Sequence, residues 1–387
     1  MNDEGFAWFL IVRIQGIGEK FLYFLAQLQE QGRWKPPKLQ SEETIRVWIQ
    51  DFCEAWQNLR SHIESASYRR GWRSVWEEVK NGAPSVERIQ AFYDEYRYLY
   101  DRGIVFVYPG HRWYPRQLFL GGSAPVLWAQ GYLPLLQAPS VAIVGSRSAS
   151  SGALQMAYNF AAELAGQGWN VISGYARGVD TQAHLGALEA GGTTTMVLSL
   201  GMLNFTRKRA LAKYWDKDRT NVLVLSQFAP QEPWRAQNAM RRNGVVSLLA
   251  KAMVVVESGA HKDSNGRYSG TFQAASFALQ QRIPVFVVSP SCFTGKIPEG
   301  NQQLISKGAI EFSPAEFPTI ISSLSSRSVE RREVAQRRIT GLKEVQQEKR
   351  SGNSNTQSIL PPQSHPVQSL QPRQQYEDPP QQLPIDF

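Results

Sequence analysis

Cysteine is nearly missing from this chain. Two occur in 387 residues, Cys53 and Cys292, far apart and in no metal-like spacing. That excludes a disulfide framework and a zinc cluster built on paired cysteines, and it fits a reducing compartment. Long apolar runs are also missing: none approaches the roughly 20 residues a bilayer-spanning helix needs. The start, MNDEGFAWFL, carries acids where a secretory signal requires basic residues. The expectation is a cytoplasmic protein with no membrane partner, no metal and no cofactor. There is no internal repeat.

What the chain does have is positive charge. Lys and Arg number 42 against 33 Asp and Glu, a formal net charge of +9. A basic surface concentrates polyanions, nucleic acid above all. The run from Ser325 to Arg350 holds eight Lys or Arg and four Glu, so about +4 of the excess lies there. It reads either as a solvated helix or linker, or as an auxiliary phosphate-binding arm. From Ser351 onward the chain is rich in Gln, Pro, Ser and Asn and has little to bury, the composition of a disordered tail.

Three regions follow from composition: a helical N-terminal domain over 1–102, an α/β domain over 103–320, and the charged segment and tail over 321–387. The first is aromatic, with Trp8, Trp34, Trp48, Trp56, Trp72 and Trp76. Between Ile45 and Ile63 the apolar residues recur near helical spacing, which favours core packing over a base-stacking platform. Near the start, Ile14-Gln15-Gly16-Ile17-Gly18-Glu19-Lys20 sits between two helical stretches. Such a hairpin can offer backbone N–H groups to a DNA phosphate, or be structural only.

In the second region, Ile104 onward reads as a short strand before a proline-punctuated connector. Short β-branched runs then alternate with helical segments: Val141–Val144, Asn170–Ile172, Thr194–Leu198, Met253–Val256 and Val285–Val288, with Asn221–Leu225 as a sixth. Continuous apolar strands separated by helices specify a doubly wound, mostly parallel, Rossmann-like sheet.

The candidate chemistry lies where strands end, the ligand-binding edge of such sheets. After the first parallel strand comes Gly145-Ser146-Arg147, followed by Ser148, Ser150 and Ser151. This is not the dinucleotide fingerprint, since the second glycine is missing and an arginine is present. It reads as an ordinary βα turn or as a cradle for an exposed phosphate. The second turn, Ser173-Gly174-Tyr175-Ala176-Arg177-Gly178, leads to Asp180 and His184. Those two suit a capping and packing role better than a catalytic pair, with no nucleophile placed beside them. Arg241-Arg242-Asn243-Gly244 stands at the entry of an apolar helix, Val245 to Leu249, and suits phosphate and base-edge contacts. Ser269-Gly270-Thr271 opens a helix of small residues and forms another candidate anion site. The loop from His261 to Arg267 before it is long and carries further cations.

Taken in order, YPRQL with APVLWAQG, VAIVGSR, SGYARGVDTQAH, GGTTTMVLSLG, LSQFAP, MRRNGVV, VVVESG with SGT, and GNQQLISKGA resemble the DNA-processing DprA/Smf family. The resemblance covers about Phe106 to Phe312. It implies an extended Rossmann-like domain that binds single-stranded DNA without sequence preference, loads a RecA-type recombinase and self-associates as a dimer; the leading expectation is a binding protein, not an enzyme. It carries Arg147, Arg242 and Asn243 over as DNA-pocket residues, with Ser173, Gly174, Arg177 and Gly178 shaping the same rim. Departures stand at Gln227, where the family has Glu, at Ala239-Met240 in place of Phe-Pro, and at Gly244 in place of a second arginine. A Gln/Pro-rich tail stands where many members carry a winged-helix-like domain.

Two other classes stay open on residues alone. A nucleotide sensor or phosphoribohydrolase needs a carboxylate near the sugar, with Glu257 or Asp180 as candidates. The Gly-Gly-x-Gly-Thr-x-x-Glu pattern of such hydrolases is missing, for Ser269-Gly270-Thr271 is followed by Ala274 with no acid in place. An adaptor would recognise its partner through the aromatic N-terminal region and the tail.

Overall fold

A computed structural model describes residues 4–13, 18–36, 86–214 and 220–326. Cys53, the four tryptophans from Trp48 to Trp76, the stripe from Ile45 to Ile63, Gly16 of the hairpin, most of the charged run and the whole tail lie outside the described residues. Helices do flank the hairpin, α1 (Glu4–Arg13) before it and α2 (Glu19–Glu30) after it. A third helix, α3 (Val86–Asp101), leads into the sheet.

Among the described residues nine strands form one mixed sheet. In chain order they are β1 (Ile104–Val107), β2 (Leu127–Gly131), β3 (Ser140–Val144), β4 (Asn170–Ser173), β5 (Thr194–Val197), β6 (Val222–Ser226), β7 (Ala252–Val255), β8 (Val285–Val288) and β9 (Ile310–Phe312). Their spatial order is β1-β2-β6-β5-β4-β3-β7-β8-β9. All neighbours are parallel except β1 with β2 and β2 with β6. The chain starts the parallel part at its centre, lays β4 to β6 on one side, then crosses β3 to lay β7 to β9 on the other. All six strands expected of the parallel part are present. β2 reads as connector from sequence, because prolines flank it and its partner β6 is far away in sequence. β9 is too short for a period.

Residue alternation along the strands splits the core between two faces. Ala142 and Val144 of β3 face one cluster, with Val245, Val255 and Phe272. Val141 and Ile143 face the other, with Ala157, Phe160 and Val254. On β5 and β6 that second face continues under the N-terminal helices, where Met196, Val222 and Val224 share a cluster with Phe6, Trp8, Phe9, Phe106 and Trp128. Phe9 stacks edge-on against both Phe106 and Trp128, at 5.9 and 5.7 Å between ring centres. Aromatic pairs in this geometry add to area burial, so α1 is bound to the sheet by its best-buried side chains. Trp8 is a core residue of the same cluster, and the half-buried Trp34 packs edge-on against it at 5.4 Å.

Helices cover both faces. They are α4 (Arg116–Leu120), α5 (Ser151–Gly166), α6 (Val179–Glu189), α7 (Arg209–Ala212), α8 (Ala236–Leu249), α9 (Gly270–Gln280) and α10 (Glu299–Ser306). Serines start two of them: Ser150 Oγ accepts from Ala153 N–H at the head of α5, and Ser269 Oγ from Phe272 N–H at the head of α9. No described helix is long and apolar enough to cross a membrane.

Candidate functional site

The strand order reverses between β3 and β7, and the turns that follow these two strands are tied together there. Ser146 N–H donates to the carbonyl of Glu257 at 2.7 Å. The Glu257 carboxylate accepts from Ser150 N–H and Oγ–H, at 3.0 and 2.7 Å, at the head of α5. The switch point is thus laced shut on the β7 side. It opens on the β4 side, where the turns after β3, β4 and β5 and the loop before α8 enclose a cleft of about 180 Å³.

The cleft is cationic. Arg147, Arg177 and Arg242 line it, and among the described residues no carboxylate does. Arg147 and Arg177 are exposed. Arg242 is only 5% exposed and reaches the cleft from inside α8. It is not at a helix start, as the sequence had suggested, because α8 begins at Ala236. Its neighbour Arg241 pairs instead with Glu19 of α2. The Arg242 guanidinium lies 3.9 Å from the Asp180 carboxylate, itself 5% exposed, and its Nε is buried with no partner. Burial pulls the Arg242 pKa down, and Asp180 partly restores it.

Two glycines make this geometry possible. A Cβ on Gly174 would lie 1.3 Å from Arg242 Nη1, so the guanidinium occupies the space of a missing side chain. Gly178 has φ +76°. A Cβ there would meet the Ser146 carbonyl at 2.4 Å, where the first two turns pass each other. Gly178 is also the N-cap of α6. Asp180 therefore sits inside the first turn and reaches back to accept from Ala176 N–H at 3.1 Å, which corrects its expected place as the cap. Tyr175 between them holds φ +56°, a left-handed conformation rarely adopted outside glycine.

The second turn is braced from a loop that sequence reasoning passed over. Lys208 Nζ donates to the carbonyl of Ala176 and to Thr181 Oγ1, each at 2.7 Å, and sits 4.4 Å from the centre of the Tyr175 ring. Burial lowers its pKa to about 8. Nothing in the sequence near Lys208 signals this role. His184 is fully buried, with Nδ1 2.7 Å from Thr194 Oγ1. Burial and the nearby Lys208 and Arg242 charges push its pKa down to about 3, so it packs as a neutral ring.

Trp234 completes the cleft opposite these turns, half exposed, with Arg147 Cζ 5.9 Å from its ring centre. Other candidates fall elsewhere. Ser173 is buried and its hydroxyl donates to the Ile143 carbonyl at 2.6 Å. Gly145 and Ser146 form the β3 turn beside the cleft, a Cβ on Gly145 meeting Val179 at 2.5 Å. Asn243 turns away along α8 and donates to the carbonyl of Gly270 at 2.9 Å. It thereby joins Ser269, Gly270 and Thr271 at the head of α9, a second location. The loop from 261 to 267 is a small hairpin, not an open loop: Lys262 bridges Tyr268, and Asp263 accepts from the N–H groups of Asn265 and Arg267.

A doubly wound, mostly parallel sheet with an arginine-lined cleft at its strand ends defines a Rossmann-like fold. Residues 105–322 match the DNA recombination-mediator protein A family, and the chain belongs to it. It is 32% identical over 199 residues to the DNA processing protein DprA of Streptococcus pneumoniae, covering 51% of this chain and 66% of that one. To Protein Smf of Escherichia coli it is 32% identical over 198 residues, 51% of each. To the Bacillus subtilis DNA processing protein DprA it is 28% identical over 255 residues, 65% of this chain and 80% of that one. The chain thus spans between half and four-fifths of these relatives. The X-ray structure of DprA from S. pneumoniae shares the fold, with a TM-score of 0.50 at 21% identity over 78% of this chain and 98% of that one.

Proposed function

We propose that this protein binds single-stranded DNA in the Arg147–Arg177–Arg242 cleft and acts in DNA recombination as a mediator, not as an enzyme. One observation carries the reading: three guanidinium groups from separate elements converge on a strand-end cleft that no carboxylate among the described residues lines. Backbone phosphates would supply most of the affinity. The turn at Gly145-Ser146 and the Gly174 to Gly178 rim position the cations, and Ser173 holds that rim from beneath. Asn243 with Ser269, Gly270 and Thr271 would take a flanking phosphate at the head of α9. The names of the relatives, DNA processing proteins, agree with this. Handing the strand to a RecA-type recombinase, a homodimeric state and a cytoplasmic location are parts of the same proposal.

The hydrolase alternative finds no support in the geometry, because Glu257 is engaged by Ser150 and Asp180 by Arg242 and Ala176.

The test is a salt titration of a labelled oligo-dT. Three phosphates neutralised on a single strand predict a slope of log K against log salt of about −2. Arg147→Ala and Arg177→Ala, both at exposed positions, should each flatten it. A wild-type slope near zero, or no binding at low salt, overturns the proposal.

A further inference from the structure

We propose that the pocket between α2 and the segment joining β1 to α4 is a second ligand site, and that it takes an uncharged nucleoside. It shares no lining residue with the arginine-lined cleft. Its volume is about 390 Å³, more than twice that of the cleft. A cavity of about 150 Å³ admits benzene, so this one has room for a base and its sugar. Ala26, Pro109, Tyr114 and Phe119 supply apolar walls. The Tyr114 hydroxyl donates to the Ala124 carbonyl at 3.1 Å, so what Tyr114 offers the pocket is its ring. Aromatic walls with few polar groups suit a flat aromatic ligand.

One donor is aimed by its neighbours. Gln29 Oε1 accepts from the indole N–H of the buried Trp8 at 3.2 Å, which settles which end of the amide is nitrogen. Gln29 Nε2 then lies over Gly110, where φ is +96° and a Cβ would stand 2.3 Å away. A side chain at 110 would push the amide aside. The described residues offer Nε2 no acceptor. A fixed N–H beside apolar walls calls for a ring carbonyl or ring nitrogen on the ligand.

The charges choose the nucleoside over the nucleotide. Arg116 is already paired with Glu30 at 2.6 Å, and both side chains are exposed. The pair leaves no net positive charge for a phosphate. The second oxygen of Glu30 can instead accept from a sugar hydroxyl.

The experiment is isothermal titration of the full chain with adenosine and with thymidine. Wild type should bind at least one of them. Phe119→Ala should weaken that binding about 5- to 150-fold, the range of one aromatic stack. Gln29→Met should weaken it about 2- to 12-fold, the range of one hydrogen bond. Arg147→Ala should leave it unchanged. In the Arg147→Ala background, where the cleft competes less, the 5′-monophosphate should bind no more tightly than its nucleoside. Adding Glu30→Gln, at an exposed position, frees Arg116 and should shift the preference toward the monophosphate. Thermal unfolding checks that each variant is folded. No nucleoside binding up to millimolar concentration overturns the proposal. So does binding that survives both Phe119→Ala and Gln29→Met, or that is lost with Arg147→Ala. None of these outcomes alters the DNA-binding reading of the cleft, which the salt titration tests separately.

Discussion

Replacing Arg242 by methionine should cost more in stability than any other change in the cleft. The guanidinium and the Asp180 carboxylate are each about one-twentieth exposed and lie 3.9 Å apart. At that separation two unit charges attract by about 4 kcal/mol for an effective dielectric near 20. Removing one partner of a buried pair typically costs about 3–5 kcal/mol, because the other charge is left behind uncompensated. Here the cost should lie at or below the lower end of that range, about 2–4 kcal/mol, since Asp180 retains the Ala176 N–H and the pair is at the long limit of contact. For a domain of this size that corresponds to a fall in Tm of roughly 5–15 °C. Urea unfolding of wild type, Arg242→Met, Asp180→Asn and the double variant forms a cycle. The double variant should be more stable than Arg242→Met, since it leaves no orphan charge, and the coupling should exceed about 1 kcal/mol. Additive single effects, or an Arg242→Met variant within about 0.5 kcal/mol of wild type, would refute a buried pair that stabilises the cleft.

Gly178→Ala should combine left-handed strain with a 2.4 Å approach to the Ser146 carbonyl, lowering stability by about 1–3 kcal/mol and weakening oligo-dT binding, as read by unfolding and anisotropy. His184 titrates near 6.5 when unfolded and near 3 when folded, so its contribution to stability is complete above pH 6.5 and lost as pH falls toward 3. Urea midpoints from pH 7 to 4 should therefore fall more steeply for wild type than for His184→Gln. Lys208 has the opposite range: its folded pKa of about 8 lies below the unfolded 10.5, so its burial penalty is full below pH 8 and is relieved between 8 and 10.5. DNA binding should weaken as pH rises through 8, where the brace behind the second turn loses this charge, and Lys208→Met should remove that step in a pH series of anisotropy titrations.

The parallel strands were legible because each is short, β-branched and buried on both faces, a local signature. β2 was not, since its place depends on antiparallel pairing with β6 some ninety residues on, which no window of sequence contains. The same division runs through the site. Arg147, Gly174, Arg177 and Gly178 announced themselves as turn residues after strands. Lys208 and Trp234 did not, because they belong to loops whose fold is decided by bonds to distant backbone, Lys208 to Ala176 and Glu232 to Gly201. Arg242 was found for its neighbours, yet its depth within α8 and its pairing with Asp180 are tertiary facts. Asn243 stood next to it in sequence, but one step along a helix turns a side chain by about 100°, which carries it to α9 instead.

The guanidinium of Arg242 lies where a side chain at position 174 would be. The two positions therefore cannot drift independently. Any residue larger than glycine at 174 first requires a shorter one at 242, and a shorter residue at 242 leaves a hole that 174 is free to fill. Among family members the pair should change together or not at all, and a chain carrying alanine at 174 beside arginine at 242 should be selected against before its cleft ever meets DNA.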